Sequence, residues 1–384
     1  LVHESSFRLK SFNLISLNFL MKSAVLNNVG GPFLIQDVEL QPPQKNEVRV
    51  KLKAAGLCHS DWHFVEGKLN RPFPIILGHE GAGVIEELGE GVTTLRKGQR
   101  VALNWAPSCH NCYYCLYGKT GMCETFWDWH DGTMPDGSTR FRINGEEVRQ
   151  FSVLSTFTEQ TIAPVESCVP IDDDISFEIA ALVGCGVTTG VGAAINTVDI
   201  RPGDSVAVYG CGGVGLNVLQ GARLSIAHPL IAVDSDPAKE EIAKQFGASH
   251  FLLAGEDTHE KVKELTGGRG VEYSFEAVGA PAVQEAAYKA LCRGGALVIV
   301  GVAPDGSYTS FPGLDLHINQ HRILGSFFGS ADPNREFGRL LDLYRTGHLM
   351  IEELISKHYP FAQINEGYAD LLKGGQKRGV LIFD

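Results

Sequence analysis

The chain has 384 residues, 44% of them hydrophobic and 20% charged, a size and balance that suit two globular domains. Its net charge of −12 argues against nucleic acid or an anionic membrane surface as a partner. No run of about 18 apolar residues, the length of a spanning helix, is evident.

Residues 1–20 read as a leader foreign to the fold. The apolar stretch from Phe12 to Leu20 is interrupted by Asn13 and Asn18, and no small-residue cleavage site follows, so it is not read as a signal sequence. Met21 opens the first expected strand. Through residues 21–187, short alternating segments such as Glu47-Val48-Arg49-Val50-Lys51-Leu52 are broken by glycines, which predicts a small, irregular β-barrel domain. Residues 188–328 change to strand, helix, strand. Strands are expected at Ser205–Tyr209, Leu230–Val233, Phe251–Leu253, Tyr273–Val278, Ala296–Val302 and Ile323–Phe328. Helices are expected from Gly213 to Ile226 and from Ala238 to Phe246, the second with Asp236 as cap and Pro237 at its start. Six strands alternating with helices predict an α/β, doubly wound parallel sheet of the Rossmann type. Residues 329–384 are expected to return to the first domain and end on a strand from Gly379 to Phe383.

Gly210-Cys211-Gly212-Gly213-Val214-Gly215 fits the spacing G-x-G-x-x-G and falls between an expected strand and an expected helix. Glycine lets the backbone turn tightly and approach a pyrophosphate resting on the helix N-terminus. The next strand ends at Asp234, where a carboxylate can take both ribose hydroxyls and repel a 2′-phosphate, so NAD is expected rather than NADP. Lys239 is placed to edge the same ribose.

Nine cysteines are present, and Cys109, Cys112, Cys115 and Cys123 fall within fifteen residues. Clustered cysteines in a cytoplasmic enzyme bind metal more often than they pair. Four thiolates suit a closed structural zinc site. An iron–sulfur cluster is the chemical rival, but the last gap is longer than the ferredoxin run and no proline follows Cys123. Three further motifs stand apart: Gly56-Leu57-Cys58-His59-Ser60-Asp61, Gly78-His79-Glu80-Gly81-Ala82-Gly83 and Gly184-Cys185-Gly186-Val187-Thr188-Thr189-Gly190.

With these motifs in this order, and with Gly132-Thr133-Met134-Pro135-Asp136-Gly137 and Phe157 beyond the cysteine cluster, the chain from Met21 to Asp384 resembles the medium-chain, zinc-dependent alcohol dehydrogenases, in the branch typified by the liver enzymes. The resemblance implies a GroES-like catalytic domain formed by residues 21–187 and 329–384, and a dinucleotide-binding domain at 188–328. It implies that Cys58, His79 and Cys185 hold a catalytic zinc, a Cys₂His set that leaves one position open for water or substrate, so that two zinc ions per chain are expected. Zinc is a Lewis acid able to bring the pKa of a bound oxygen down from roughly 16 toward neutrality, and the nicotinamide takes the hydride.

By the same resemblance, Ser60 takes the alcohol proton and passes it by way of the cofactor ribose to His63, whose side chain titrates near neutral pH. Asp61 orients His79, Glu80 stands beside the metal, and His59 and Arg378 contact the pyrophosphate. Thr189 and Val302 complete the cofactor contacts. Leu69, Trp105, Phe151 and Ser152 line the substrate pocket, with Trp105 narrowing it near the metal and Ser152 leaving room further out. The branch acting on a glutathione adduct of formaldehyde carries an arginine where this chain has Trp127, and usually lacks a histidine at His63; both departures favour plain alcohols. That adduct is the rival substrate, and a non-catalytic binding protein is the rival class. Segment Glu124–Gln150 matches dimeric relatives, so a homodimer joined near Ile323–Phe328 is expected.

Overall fold

The computed structural model describes residues 19–126, 132–374 and 377–384. Five short strands, Phe19–Leu26, Leu34–Leu40, Phe141–Ile143, Glu146–Gln150 and Ile75–Ile76, close a barrel. A second sheet runs in the order Cys168–Pro170, Arg100–Leu103, Gly81–Leu88, Glu47–Gly56, Arg378–Ile382 and Ile355–Pro360, with Gln160–Pro164 also on Glu47–Gly56. The C-terminal strand pairs antiparallel with Glu47–Gly56, Val380 opposite Gly56, so the end of the chain does return to the first sheet.

The third sheet is wholly parallel. Its six strands run His250–Leu253, Leu230–Asp234, Val206–Tyr209, Val271–Glu276, Leu291–Ile299 and Arg322–Gly325. Val206 and Val208 enter one apolar cluster while Ala207 and Tyr209, the alternate residues, enter another. Both faces are therefore covered, which is why these strands read as continuous apolar runs. The chain has the expected fold class: a GroES-like β domain joined to a Rossmann-type sheet.

Several expected boundaries move. Phe19 and Leu20, assigned to the leader, pair with Leu40 and Glu39 in the first barrel strand; residues 1–18 lie outside the described residues, as does Trp127. The strand expected at Tyr273–Val278 stops at Glu276, because the Glu276 carboxylate accepts hydrogen bonds from the Val278 and Gly279 amides and turns the chain. The strand expected at Ala296–Val302 is Leu291–Ile299, leaving Val302 in the following loop. The last strand, expected at Ile323–Phe328, is Arg322–Gly325. The helix expected to reach Ile226 ends at Leu224, with Ile226 at φ 59° leaving it. The helix expected from Ala238 to Phe246 divides into a tight turn at Pro237–Lys239 and a helix at Glu240–Gln245, with Asp236 capping the Ala238 amide.

One departure bears on the site. Phe177–Leu182, Val183–Val187 and Thr188–Ile195 form one continuous helical stretch with a π turn in the middle. The expected boundary between residues 187 and 188 falls inside it. This stretch is also long and apolar enough to cross a membrane by composition, with mean hydropathy 1.6, although no such run was evident in the sequence. Of its 18-residue apolar window, 83% is buried within the protein, as in a core helix.

Candidate functional site

The strand Glu47–Gly56 delivers the chain to Cys58, which precedes the short helix His59–Val65. The turn at Gly78, φ 91°, presents His79 and Glu80 from the start of the next strand. Cys185 sits in the π turn Val183–Val187; such turns redirect side chains and recur at functional sites. A Cβ on Gly184 would lie 3.0 Å from the Leu103 carbonyl oxygen, and one on Gly186 would lie 2.3 Å from Arg378 Nη1. The glycines flanking Cys185 therefore allow the close approach that brings it to the site.

Cys58, His79, Glu80 and Cys185 offer donor atoms that all lie within 4.8 Å of one another, and all four residues are buried. Asp61, fully buried, places Oδ1 3.1 Å from His79 Nδ1 and accepts a 2.9 Å hydrogen bond from the Gly78 amide. That contact occupies Nδ1 and leaves His79 Nε2 for a metal. A hydrogen bond with Cys185, aided by His79 and Arg378, holds the Cys58 thiol well below its ordinary value despite burial. Burial works against protonated His79, but Asp61 and Cys58 outweigh it and raise the imidazole well above its usual range. Two sulfurs and an imidazole in a dry pocket, one sulfur favouring the thiolate, are a donor set that suits zinc.

Glu80 faces the same centre with both oxygens engaged. Arg378 Nη2 donates to Oε2, and the Gly186 amide donates to Oε1 at 3.3 Å. A Cβ on Gly56 would stand 1.9 Å from Oε2, so glycine is needed there. Arg378 is 5% exposed, and its Cδ lies 2.7 Å from where a Cβ on Gly213 would stand. It thus spans the distance from the Cys58, His79 and Cys185 cluster to the glycine loop.

The glycine loop connects the strand Val206–Tyr209 to the helix Gly213–Leu224. Gly210 has φ 95°, and a Cβ on Gly215 would lie 1.7 Å from the Gly210 carbonyl oxygen. A Cβ on Gly212, by contrast, meets nothing within 4 Å, leaving an open cradle at the helix start where an anion fits. Val214, in the first turn of that helix, is half-buried. Asp234 ends its strand with Oδ2 accepting from the Cys211 amide at 2.6 Å and Oδ1 from the Asp236 amide at 3.0 Å; each oxygen keeps a lone pair for a ribose hydroxyl. Lys239 lies in the turn after it, and Val302, 47% exposed, lies against Gly279 on the adjacent loop. Thr189 Oγ1 is 4.0 Å from Cys185 Sγ.

Ser60 Oγ is 3.5 Å from Cys58 Sγ. His63 follows three residues later on the same helix, on a shared face, and His59 is exposed at its start. The His63 Nδ1 is buried without a hydrogen-bond partner; burial, then Lys68, lowers its pKa. Trp105 and Phe151 both meet the His79 ring edge-on, at 6.0 Å and 5.7 Å. Leu69 packs on the barrel core just beyond the helix, its amide on the His63 carbonyl at 3.2 Å. Ser152 is 3% exposed in a left-handed turn at φ 50°.

Phe327 was missed by sequence reasoning. It packs edge-on to Trp105 at 5.3 Å, and with Trp105 it lines a narrow crevice reaching Cys123 and Phe126. Only its place in an expected strand was readable, which marks core rather than pocket.

Cys109, Cys112, Cys115 and Cys123 form the second set, again with all sulfurs within 4.8 Å of one another. The amides of Asn111 and Cys112 point at Cys109 Sγ, at 3.4 Å and 3.3 Å, and the Cys109 amide points at Cys123 Sγ at 3.2 Å. The Cys112 and Cys123 sulfurs are 4.0 Å apart, close to the edge of about 3.8 Å for a tetrahedron with arms of ~2.3 Å. None of the four is in a disulfide. One ion fits among sulfurs this close, whereas a multi-iron cluster would hold them further apart.

Residues 44–173 match the alcohol dehydrogenase GroES-like domain and residues 213–346 match the zinc-binding dehydrogenase family. The chain is 40% identical to an NDMA-dependent alcohol dehydrogenase from Amycolatopsis methanolica over 94% of this chain and 98% of that one. It is 37% identical to an S-(hydroxymethyl)glutathione dehydrogenase from Saccharomyces cerevisiae, over 94% and 96%. Benzyl alcohol dehydrogenase from Acinetobacter calcoaceticus superposes with a TM-score of 0.90 at 31% identity, covering 95% of this chain and all of that one. Acetophenone reductase from Geotrichum candidum, solved in complex with NAD, superposes at 0.78 with 26% identity, over 95% and 97%. These likenesses support zinc and NAD as the cofactors, and a small-molecule alcohol as the substrate. With two cysteine sites, a glycine loop and relatives of this kind spanning its length, the chain belongs to the medium-chain, zinc-dependent alcohol dehydrogenase family and is an alcohol dehydrogenase.

Proposed function

We propose that the enzyme oxidises primary or secondary apolar alcohols to aldehydes or ketones with NAD, and carries two zinc ions per chain. Cys58, His79 and Cys185 hold the catalytic ion, and the four clustered cysteines hold a structural one. When bound, zinc supplies Lewis acidity toward an alcohol oxygen and NAD supplies the hydride acceptor. The observation that carries this reading is the buried set of Cys58, His79 and Cys185 donors, oriented by Asp61.

The protein's own groups do the rest. Ser60, beside Cys58, takes the hydroxyl proton, and His63 carries it outward. Because burial lowers its pKa, His63 stays neutral through the neutral range and is lost as a proton acceptor only on acidification below the ordinary imidazole value. His63→Gln is expected to lower the alcohol oxidation rate by about tenfold or more, with imidazole buffer restoring part of it. An unchanged rate in stopped-flow assays removes His63 from the relay.

Gly212→Ala gives a sharper test of the cofactor loop. A methyl group there meets no protein atom and φ is −80°, so the melting temperature is expected to hold. NAD affinity is expected to fall by about tenfold or more, because the methyl fills the pyrophosphate cradle. Equal NAD affinity in wild type and variant contradicts that placement.

Trp105, Phe151 and Phe327 form an aromatic wall toward His79, which favours benzylic and other apolar alcohols. A panel of aliphatic, benzylic and terpenoid alcohols with NAD, run in parallel with NDMA as acceptor, tests both substrate and acceptor. The second reading, a thiol adduct of formaldehyde, is favoured by the similarity to S-(hydroxymethyl)glutathione dehydrogenase. Turnover that requires glutathione and formaldehyde together selects it over plain alcohols.

We place the enzyme in the cytoplasm as a homodimer. The strand Arg322–Gly325 is an outer strand of its sheet, and Tyr308, Leu314 and Ile318 nearby are 89%, 74% and 63% exposed. An open edge flanked by bare apolar side chains calls for a cover. Sedimentation is expected to give a dimer; monomer at micromolar concentration counts against it.

A further inference from the structure

A crevice of about 430 Å³ opens on the dinucleotide-binding domain away from the cofactor loop. Its floor includes Tyr288, Leu291 and Pro312, and its rim carries Lys263, Arg269, Lys289 and Arg293. Leu291 begins the strand Leu291–Ile299, and Gly268 and Arg269 immediately precede the strand Val271–Glu276. The crevice is therefore at the N-terminal end of the parallel sheet. The glycine loop is at the opposite, C-terminal end, about 20 Å away at ~3.3 Å per residue over six residues.

The charge on this rim is unusual for the molecule. The chain carries a net −12, yet among the described residues none of Lys263, Arg269, Lys289 or Arg293 has an ion-pair or hydrogen-bond partner for its side-chain charge. Lys263 and Lys289 lie in the last turns of their helices, where a cation complements the helix dipole. Arg269 lies on a bend and Arg293 near the start of the strand Leu291–Ile299, and neither has such a role. The single lining carboxylate, Asp315, is turned to other groups: Oδ2 accepts from the Tyr288 hydroxyl at 2.9 Å and Oδ1 from Asn319 Nδ2 at 2.7 Å. His321 also lines the crevice, its side chain 6% exposed and its Nδ1 3.4 Å from the same Asp315 Oδ2.

We propose that this crevice binds a compact, multiply charged phosphate-bearing anion at a site separate from the cofactor cleft. Arginine forks match phosphate oxygens two at a time. Four cations converging on one concavity are mutually repulsive until an anion occupies it. The volume suits a small molecule. The phosphate can belong to a free polyphosphate or to a nucleotide; the chemistry recognised is the same.

Calorimetric titration of inorganic tripolyphosphate into the zinc-loaded enzyme, saturated with NADH, tests the site with the cofactor cleft blocked. One equivalent is expected to bind. The exposed double variant Arg269→Ala/Arg293→Ala is expected to weaken binding at least tenfold, leaving alcohol turnover and melting temperature unchanged. Tighter binding of ATP than of tripolyphosphate assigns the site to nucleotides, and equal binding assigns it to polyphosphate. No heat in the presence of NADH, affinity unaffected by the double variant, or tighter binding of a short DNA duplex than of tripolyphosphate overturns the proposal.

Discussion

Cys185→Ser is expected to abolish alcohol oxidation, with a loss of about a thousandfold or more, while the chain keeps its fold. The hydroxyl is close in size to the thiol and remains in the π turn between Gly184 and Gly186, so packing changes little. Hard oxygen replaces a soft thiolate, and the metal site drops to one sulfur and one imidazole. Several kcal/mol of transition-state stabilisation depend on the metal, and each 1.4 kcal/mol is about tenfold in rate. Metal content is expected to fall from two zinc ions to one. Cys109→Ser should show the converse pattern, with zinc lost from the four-cysteine site and stability affected before catalysis. Full activity in the Cys185→Ser enzyme would place the chemistry elsewhere.

Arg378→Leu is expected to be the most destabilising single change in the site. Glu80 is fully buried and Arg378 is 5% exposed. Burial already pushes the Glu80 carboxyl up, with Arg378 opposing it. Removing the guanidinium leaves a buried carboxylate with only the Gly186 amide, at a cost of about 3–5 kcal/mol. Adding Glu80→Gln removes the orphaned charge and is expected to recover much of that loss, a coupling that a double-mutant cycle measures. NAD binding should stay weak in both variants, because the Arg378 side chain also borders the glycine loop at Gly213. Additive losses in stability would mean that the two groups do not depend on each other.

The sequence revealed the fold class and the donor types because both follow from local rules. Continuous apolar runs at Val206–Tyr209 and Leu230–Val233 mark strands covered on both faces, and G-x-G-x-x-G names its own turn. Cys109, Cys112, Cys115 and Cys123 meet because they are near neighbours in the chain. Cys58, His79 and Cys185 are different. Nothing in their spacing joins them, and the resemblance to a family was the sole sequence argument for grouping them. In the structure, their meeting depends on a strand end, a left-handed turn and a π turn.

Illegible features are those set by partners distant in the chain. The Arg378–Glu80 pair spans 298 residues, and Phe327 reaches Trp105 only through tertiary packing. The π turn hid its continuity with the flanking helices because Gly184, Gly186 and Gly190 read as breakers, whereas each of them is held in close contact with distant parts of the chain. The apolar helix Phe177–Ile195 was overlooked for the same reason. Glu276 ended its strand through side-chain hydrogen bonds to Val278 and Gly279, a competition no propensity scale registers.

Diffraction from the purified enzyme, collected on both sides of the zinc absorption edge, tests the central claim most directly. Two anomalous peaks per chain are expected, one enclosed by Cys58, His79 and Cys185 and the other by Cys109, Cys112, Cys115 and Cys123. A fully metallated preparation with no peak among Cys58, His79 and Cys185 would contradict the assignment of catalysis to that cluster.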